Sequence, residues 1–339
     1  MAGSLRILVD EASKTAEARR FARAMAARMG LSDTVAEQVS IVVTEACTNL
    51  LKHAGRGEII LHSSSEGLET TPLLDVLALD QGPGMRNLQQ SLRDGYSTGS
   101  TPGQGLGAII RLSQDSDFYT VPQKGTGILA RWWTEPPKPL GPGRDTLRIS
   151  AVNLPKPGEE VSGDAWGAVH YGDNIVILLA DGLGHGLEAN VAASEAVRIL
   201  RQHPDLPPGA LLQRVHSALR SSTRGAAVAV ARIDLALDQV TFAGVGNIAA
   251  RIYSGSEPRQ SLVSVNGTAG HHAERIQEFS YPWPCNGLLQ LHSDGLAAGT
   301  GLEPYPGLAQ RDPALIAGVL YRDFARGRDD ATVVVAKAS

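Results

Sequence analysis

The chain has 339 residues, with 31 Lys and Arg against 35 Asp and Glu and a net charge of −4. That length suits two domains, each able to bury its own core, and the charge balance leaves no basic footprint for nucleic acid or an anionic membrane. Cys47 and Cys285 lie far apart and outside any C-x-x-C pair, so neither a disulfide framework nor a zinc site is indicated. The first residues show no charged stretch leading into an apolar run, and the longest apolar run, 175–180, is far short of the roughly 20 residues a bilayer needs. The expectation is a soluble, cytoplasmic protein with no nucleic-acid and no membrane partner.

In chain order, a short strand at 5–9 precedes an Ala/Arg-rich helix that starts near Ser13 and stops at Gly30. Ser32 is placed to N-cap a second helix through Val35, Val39, Ile41, Val42 and Ala46 to about Leu51, with Gly55 just beyond its end. Glu45 and Asn49 stand at i and i+4 on that helix and share one face. Strands at 58–62 and 73–79 follow, the second running into Asp80. A helix opens near Leu106 after a glycine-rich stretch, and strands at 117–121 and 127–133 close the domain, 1–134. Helices on one face of a mixed sheet would make it an α/β sandwich. Residues 135–143 carry four prolines and two glycines, which remove backbone donors and forbid regular structure, so a linker is set at 135–145.

The remainder, 146–339, turns β-rich. Strands are expected at 146–153, 165–170, 175–180, 226–234, 239–243, 248–253, 288–292 and 331–336, and helices at 187–202, 210–221 and 313–325. The fold class is therefore α+β in two domains, the second a two-sheet sandwich flanked by helices. Asp164, Asp181, Asp294 and Asp329 all fall at strand ends, where a sandwich can gather them at one edge. Hard divalent cations take oxygen ligands, and two of them about 3.5–4 Å apart can activate a bridging water for attack on phosphorus. A single Asp-Gly pair is an ordinary turn dipeptide. Four acidic fragments, each joined to a strand, are more than turns require.

The first domain holds a different signature: Glu45-Ala-Cys-Thr-Asn49, then Asp80-Gln-Gly82-Pro-Gly84, then Gly103-Gln-Gly105-Leu106-Gly107 opening a helix. Mg-ATP needs an oxygen ligand for its metal, a polar group for the adenine edge, and glycines with a helix N-terminus where backbone must approach phosphate. Each fragment alone is a weak signal; their order and spacing together are stronger. With Asp94-Gly-Tyr-Ser-Thr98 and Gly125-Thr-Gly127, the stretch of about 4–134 resembles the GHKL ATPase class and, within it, the RsbT-like serine/threonine kinases of the anti-sigma-factor type. The resemblance implies that Asn49 binds the nucleotide Mg²⁺ and that Asp80 reads the adenine amino group. Gly82, Gly84, Gly103, Gly105, Leu106 and Gly107 then complete the ATP site, and Glu45 is the general base on a partner's hydroxyl. Lys52 and His53 read more simply as cations favoured at a helix end.

From about 146 to 336 the chain resembles the SpoIIE-type branch of the metal-dependent PPM serine/threonine phosphatases, RsbX-like in form. The motifs are Ser162-Gly-Asp164, Ala180-Asp-Gly-Leu-Gly184, Arg224-Gly-Ala226, Val245-Gly-Asn247, His292-Ser-Asp-Gly-Leu296 and Asp329-Asp-Ala-Thr332. An αββα sandwich is implied. So is a ligand set in which Asp164, Asp181 and the Gly182 carbonyl hold one Mg²⁺ or Mn²⁺, while Asp181, Asp294 and Asp329 hold the other. Asp330 falls beside the ligands, and His185 is a loop residue near the site. Both resemblances imply a partner-switching regulator of the stress-response type, acting in trans on STAS-domain antagonists or scaffolds, with a sigma-factor regulator as a further partner. The alternative reading keeps the phosphatase and makes the first domain a nucleotide-gated binding module or anti-sigma factor without kinase activity.

Overall fold

The computed structural model describes residues 3–64, 73–88, 105–135, 147–220, 223–255, 257–273 and 275–338. By internal contacts the chain divides into unit 1, Met1–Pro139 with Ala314–Arg322, and unit 2, Leu140–Pro313 with Asp323–Ser339. The linker expected at 135–145 lies outside the described residues except for Glu135, as do Gly103 and the 94–98 motif. Among the described residues no helix is long and apolar enough to cross a membrane.

Unit 1 runs β1 (Gly3–Val9), α1 (Ala12–Arg28), α2 (Asp33–Asn49), β2 (Gly57–Ser64), β3 (Leu73–Leu79), α3 (Gly105–Leu112), β4 (Asp115–Val121) and β5 (Gly125–Trp133). Ser32 caps α2 as expected, its Oγ accepting from the Val35 N–H at 3.3 Å. The α-helix ends at Asn49 and the chain continues as a π-helical turn, Leu50–Ala54, that Gly55 terminates in the left-handed region at φ 76°. The sheet has the order β1-β2-β3-β5-β4. Every pair in it is antiparallel, not mixed as expected. The cause lies in the connection after β1. Two helices, not one, return the chain to the end of β1 from which β2 must run back, whereas a parallel crossover uses a single helix. Ala18, Ala22, Val39, Val43 and Ala46 of α1 and α2 pack on Ile59, Leu61, Val76 and Trp132, so the helices cover one face.

Unit 2 contains β6 (Leu147–Leu154), β7 (Asp164–Tyr171), β8 (Asn174–Gly182), α4 (Gly186–Gln202), α5 (Pro208–Leu219), β9 (Ala226–Asp234), β10 (Gln239–Val245), β11 (Ala249–Ser254), β12 (Glu257–Ser261), β13 (Phe279–Pro282), β14 (Gly287–His292) and β15 (Ala331–Ala338). Two five-stranded sheets form, β13-β10-β9-β8-β7 and β12-β11-β14-β15-β6. Helices α4 and α5 cover the first through Ala192, Ala196, Leu200, Leu211 and Val215. Two edge strands were missed by the sequence reading: β12 has no apolar alternation, and β13, Phe279–Pro282, alternates over only four residues; neighbouring strands supply their pairing.

The last helix, α6 (Pro313–Phe324), forms where it was expected. Its residues Ala314–Arg322 count with unit 1 although in sequence they lie between the two stretches of unit 2. A Cβ on Gly127 of β5 would lie 3.0 Å from Leu315 Cδ1, and Arg6 of β1 donates to the Tyr321 hydroxyl at 3.0 Å. The face of the unit 1 sheet opposite α1 and α2 is thereby covered, which accounts for the burial of every residue of β3.

Candidate active sites

Sheet register sets the acidic site of unit 2. Antiparallel pairing of β7 with β8 places Asp164 opposite Asp181, each at the end of an apolar strand. Asp294 follows β14 and Asp329 precedes β15, an adjacent pair in the second sheet. A cleft of about 510 Å³ is lined by Asp181, Gly182, Asp294 and Asp329, with Lys156 and His185 on its wall. Both Asp-Gly glycines are demanded by close packing. A Cβ at Gly182 would stand 2.1 Å from the Ala189 carbonyl oxygen, and one at Gly295 1.8 Å from that of Asp330.

Asp164 is buried, and its Oδ2 accepts from Ser293 Oγ and from Thr332 Oγ1, both at 2.7 Å. Its Oδ1 is buried with no partner. Burial, reinforced by Asp330 and Asp294, raises its pKa to about 7 despite the two hydroxyl donors. Asp181 is pushed up to about 9, first by burial and then by Asp164, Asp294, Asp329 and Asp330. Burial also raises Asp330, whose Oδ1 accepts from the Lys156 N–H at 2.8 Å. Carboxylates so crowded ionise together only beside a counter-charge.

Among the described residues no three His, Cys, Asp or Glu side chains close on one point as a bound ion would hold them. Mutually repelling carboxylates have no reason to do so unaided. The fit to a divalent cation rests on the orphaned Asp164 Oδ1, the strongly raised acids, and a donor set made of oxygen, which suits Mg²⁺ or Mn²⁺ better than zinc.

Four residues around this cleft were given no role from the sequence. Asn247 Nδ2 donates to Asp294 Oδ2 at 2.7 Å, Ser293 and Thr332 hold Asp164, and Lys156 brings a cation to the wall. All but Lys156 lie inside quoted motifs, but their partners are far away in the chain. His185 Nδ1, on the cleft wall, lies 2.7 Å from Glu159 Oε1, and Arg224 pairs with Glu188.

In unit 1, the i, i+4 spacing on α2 does what it promised. A Cβ added at Gly105, the first residue of α3, would lie 3.2 Å from Asn49 Oδ1 and 3.3 Å from Glu45 Oε2, so both side chains face that helix start. Asn49 Nδ2 is buried and unpartnered. Asp80 Oδ1 accepts from the N–H groups of Gly82, at 2.8 Å, and Thr126, at 3.2 Å. Burial raises the Asp80 pKa in spite of those donors. The π turn brings Ala54 against the same loop, 2.7 Å from where a Gly82 Cβ would be, and Gly84 takes φ 64° against the Val121 carbonyl. Glu45, Asn49, Asp80, Gly82, Gly84, Gly105, Leu106 and Gly107 thus fall on α2, the loop after β3 and the start of α3. An unpaired amide beside a helix N-terminus and a backbone-held carboxylate fit a nucleotide with its metal. Burial lowers the His53 pKa and raises that of Cys47 to about 11, so the thiol is inert.

Comparison with known proteins follows the same division. Residues 8–132 match the histidine kinase-like ATPase domain family, and residues 171–339 match Stage II sporulation protein E (SpoIIE). The serine/threonine-protein kinase RsbT of Bacillus subtilis (strain 168) is 28% identical over 116 residues, covering 34% of this chain and 86% of RsbT. The phosphoserine phosphatase RsbX of the same organism is 22% identical over 150 residues, covering 44% of this chain and 75% of RsbX. The crystal structure of RsbX with magnesium shares the fold at a TM-score of 0.50 and 19% identity, over 57% of this chain and 96% of that one. A chain from work on the bacterial stressosome, a modular system adapted to control secondary messenger signaling, has a TM-score of 0.53 and 26% identity over 57% of this chain and all of its own. The chain is a fusion of a GHKL-type, kinase-like ATPase domain with a SpoIIE-type domain of the PPM serine/threonine phosphatase class.

Proposed function

We propose that this protein is a bifunctional, cytoplasmic regulator of a partner-switching pathway, removing phosphate from phosphoserine or phosphothreonine of partner proteins and adding it to Ser or Thr of STAS-domain proteins with Mg-ATP. The observation that carries the hydrolase half is the convergence of Asp181, Asp294 and Asp329 on one cleft, with buried Asp164 paired opposite Asp181 and the two raised to about 7 and 9. In this reading Asp164, Asp181 and the Gly182 carbonyl hold one Mg²⁺ or Mn²⁺, and Asp181, Asp294 and Asp329 hold the second. When bound, such ions activate water and neutralise phosphoryl oxygens. Asn247 keeps Asp294 oriented, and Lys156 lends positive charge to the wall that a phosphoryl group would face.

In unit 1, Asn49 would hold the nucleotide Mg²⁺, Asp80 the adenine amino group, and Glu45 the proton of the acceptor hydroxyl. RsbT and RsbX, a kinase and a phosphatase by name, and the stressosome chain support protein partners of the switching type. The deciding experiment incubates the purified chain with a STAS-domain protein and labelled ATP, and separately with its phosphoserine form and Mg²⁺ or Mn²⁺. Transfer together with chelator-sensitive release supports the reading. Release without transfer leaves the ATPase domain as a nucleotide-gated binding module, and chelator-resistant release removes the metal assignment.

A further inference from the structure

We infer that Ser293 and Thr332 act as positioning residues that force Asp164 to meet a divalent cation through Oδ1 alone, and so bias the site toward a small octahedral ion. This rests on the metal site proposed above. Asp164 Oδ2 takes two O–H donors, at 2.7 Å each. A carboxylate oxygen offers two lone pairs, so both are committed. The direction of the Ser293 proton is settled as well. Ser293 Oγ accepts the Thr332 N–H at 3.0 Å, which leaves its one hydrogen for Asp164. Ser293 and Thr332 are both 0% exposed, so water does not compete for either hydroxyl. Opposite this saturated oxygen stands Oδ1, buried and without a partner.

The placement of the clamp matters as much as its strength. Ser293 directly precedes Asp294, and Thr332 stands three residues after Asp329. Asp164 begins β7 in one sheet, while its two donors belong to the β14–β15 side of the other. Asn153 of β6, also in that second sheet, adds a bond from Nδ2 to the Asp164 carbonyl at 3.1 Å. The segments that carry two of the other carboxylates therefore fix the orientation of the one across from them. Mg²⁺ demands near-octahedral geometry at about 2.0–2.1 Å, whereas Ca²⁺ at about 2.3–2.6 Å readily takes a carboxylate through both oxygens. With Oδ2 filled, Asp164 cannot offer the second mode.

The test is calorimetric titration of the full chain, free of nucleotide, with Mg²⁺ and with Ca²⁺, for the wild type, Thr332→Val, Ser293→Ala and Thr332→Ser. Thr332→Val keeps the side-chain volume and deletes the donor. It should weaken Mg²⁺ about 10- to 100-fold, as loss of an outer partner of a metal ligand does, and Ca²⁺ distinctly less, because Oδ2 is then free to ligate. Ser293→Ala should shift the ratio of the two affinities in the same direction, and Thr332→Ser should retain wild-type values. Thermal unfolding in chelator shows which variants fold, and either deletion alone suffices for the comparison. Mg²⁺ binding by the folded deletion variants within about twofold of wild type, well inside the effect expected of such a partner, overturns the clamp. Equal weakening of both ions also overturns it, since a structural loosening would act so. If the wild type binds neither ion, the proposed metal site fails and the clamp with it.

Discussion

The two candidate sites are assembled by opposite means. In unit 1 the pair Glu45 and Asn49 sits one helical turn apart, and glycines let the start of α3 approach them, so local geometry does most of the placement. In unit 2 the carboxylates come from four separate places between residues 164 and 329, and only strand register and sheet packing bring them together. The difference is also electrostatic. In the first site a neutral amide, Asn49, neighbours Glu45, and Asp80 is held by the N–H groups of Gly82 and Thr126 with no second acid among the causes of its raised pKa. Crowded acids face the second, and Asp181 is driven to about 9 by burial and then by its neighbours. A site built of like charges needs its ligand to become itself, and that contrast can be broken experimentally.

The largest effect is expected at the acid shared by both proposed metal positions. Asp181→Asn should lower metal-dependent hydrolysis of a phosphoserine protein or p-nitrophenyl phosphate on the order of 10³-fold, with Asp294→Asn also severe. ATP affinity measured on the same preparations should not change. Retained hydrolysis in both variants would return the Asp-Gly pairs to the status of turns. Next comes Glu45→Gln, which keeps size and polarity but accepts no proton. Phosphoryl transfer should fall about 10²- to 10⁴-fold while ATP still binds, and undiminished transfer would assign the base elsewhere. A smaller change is expected from Asn49→Ala and Asp80→Asn, each lowering ATP affinity by about 10- to 100-fold, the cost of one or two lost polar or metal-linked contacts. Calorimetry reads this directly, and unaltered affinity in both would dissolve the nucleotide site.

The subtlest test uses pH. Asp164 and Asp181 have native pKa values raised to about 7 and 9 from 3.8, so between these limits the native chain holds protons that the unfolded chain has released. Their contribution to stability is therefore complete below the unfolded value of 3.8 and is lost as pH rises through about 7 and then 9. In chelator, denaturation midpoints of unit 2 should fall from pH 5 to 9 by this mechanism. Saturating Mg²⁺ should flatten that slope, because a bound cation favours the ionised acids. Identical slopes with and without Mg²⁺ would show that the acids are not a metal site.

What was legible in the sequence is what depends on short periods. The Ser32 cap, the shared face of Glu45 and Asn49 at the helical period, and the apolar runs flanked by Asp164 and Asp181 each depend on a few adjacent residues, so neighbours in the chain suffice to read them. The same local reading could not find β12 and β13, which are strands because a neighbouring strand has unpaired backbone groups to share. Nor could it orient β2 against β1, or count Ala314–Arg322 with unit 1. The clamp on Asp164 shows the limit most sharply. Ser293 and Thr332 were visible as letters of two motifs, yet they are 129 and 168 residues from the carboxylate they hold. Residue type and spacing determine which groups stand at the ends of strands. Which oxygen of Asp164 is filled and which is left open was decided only when two sheets packed, because a hydrogen bond depends on distance and angle, and chain separation carries no record of either.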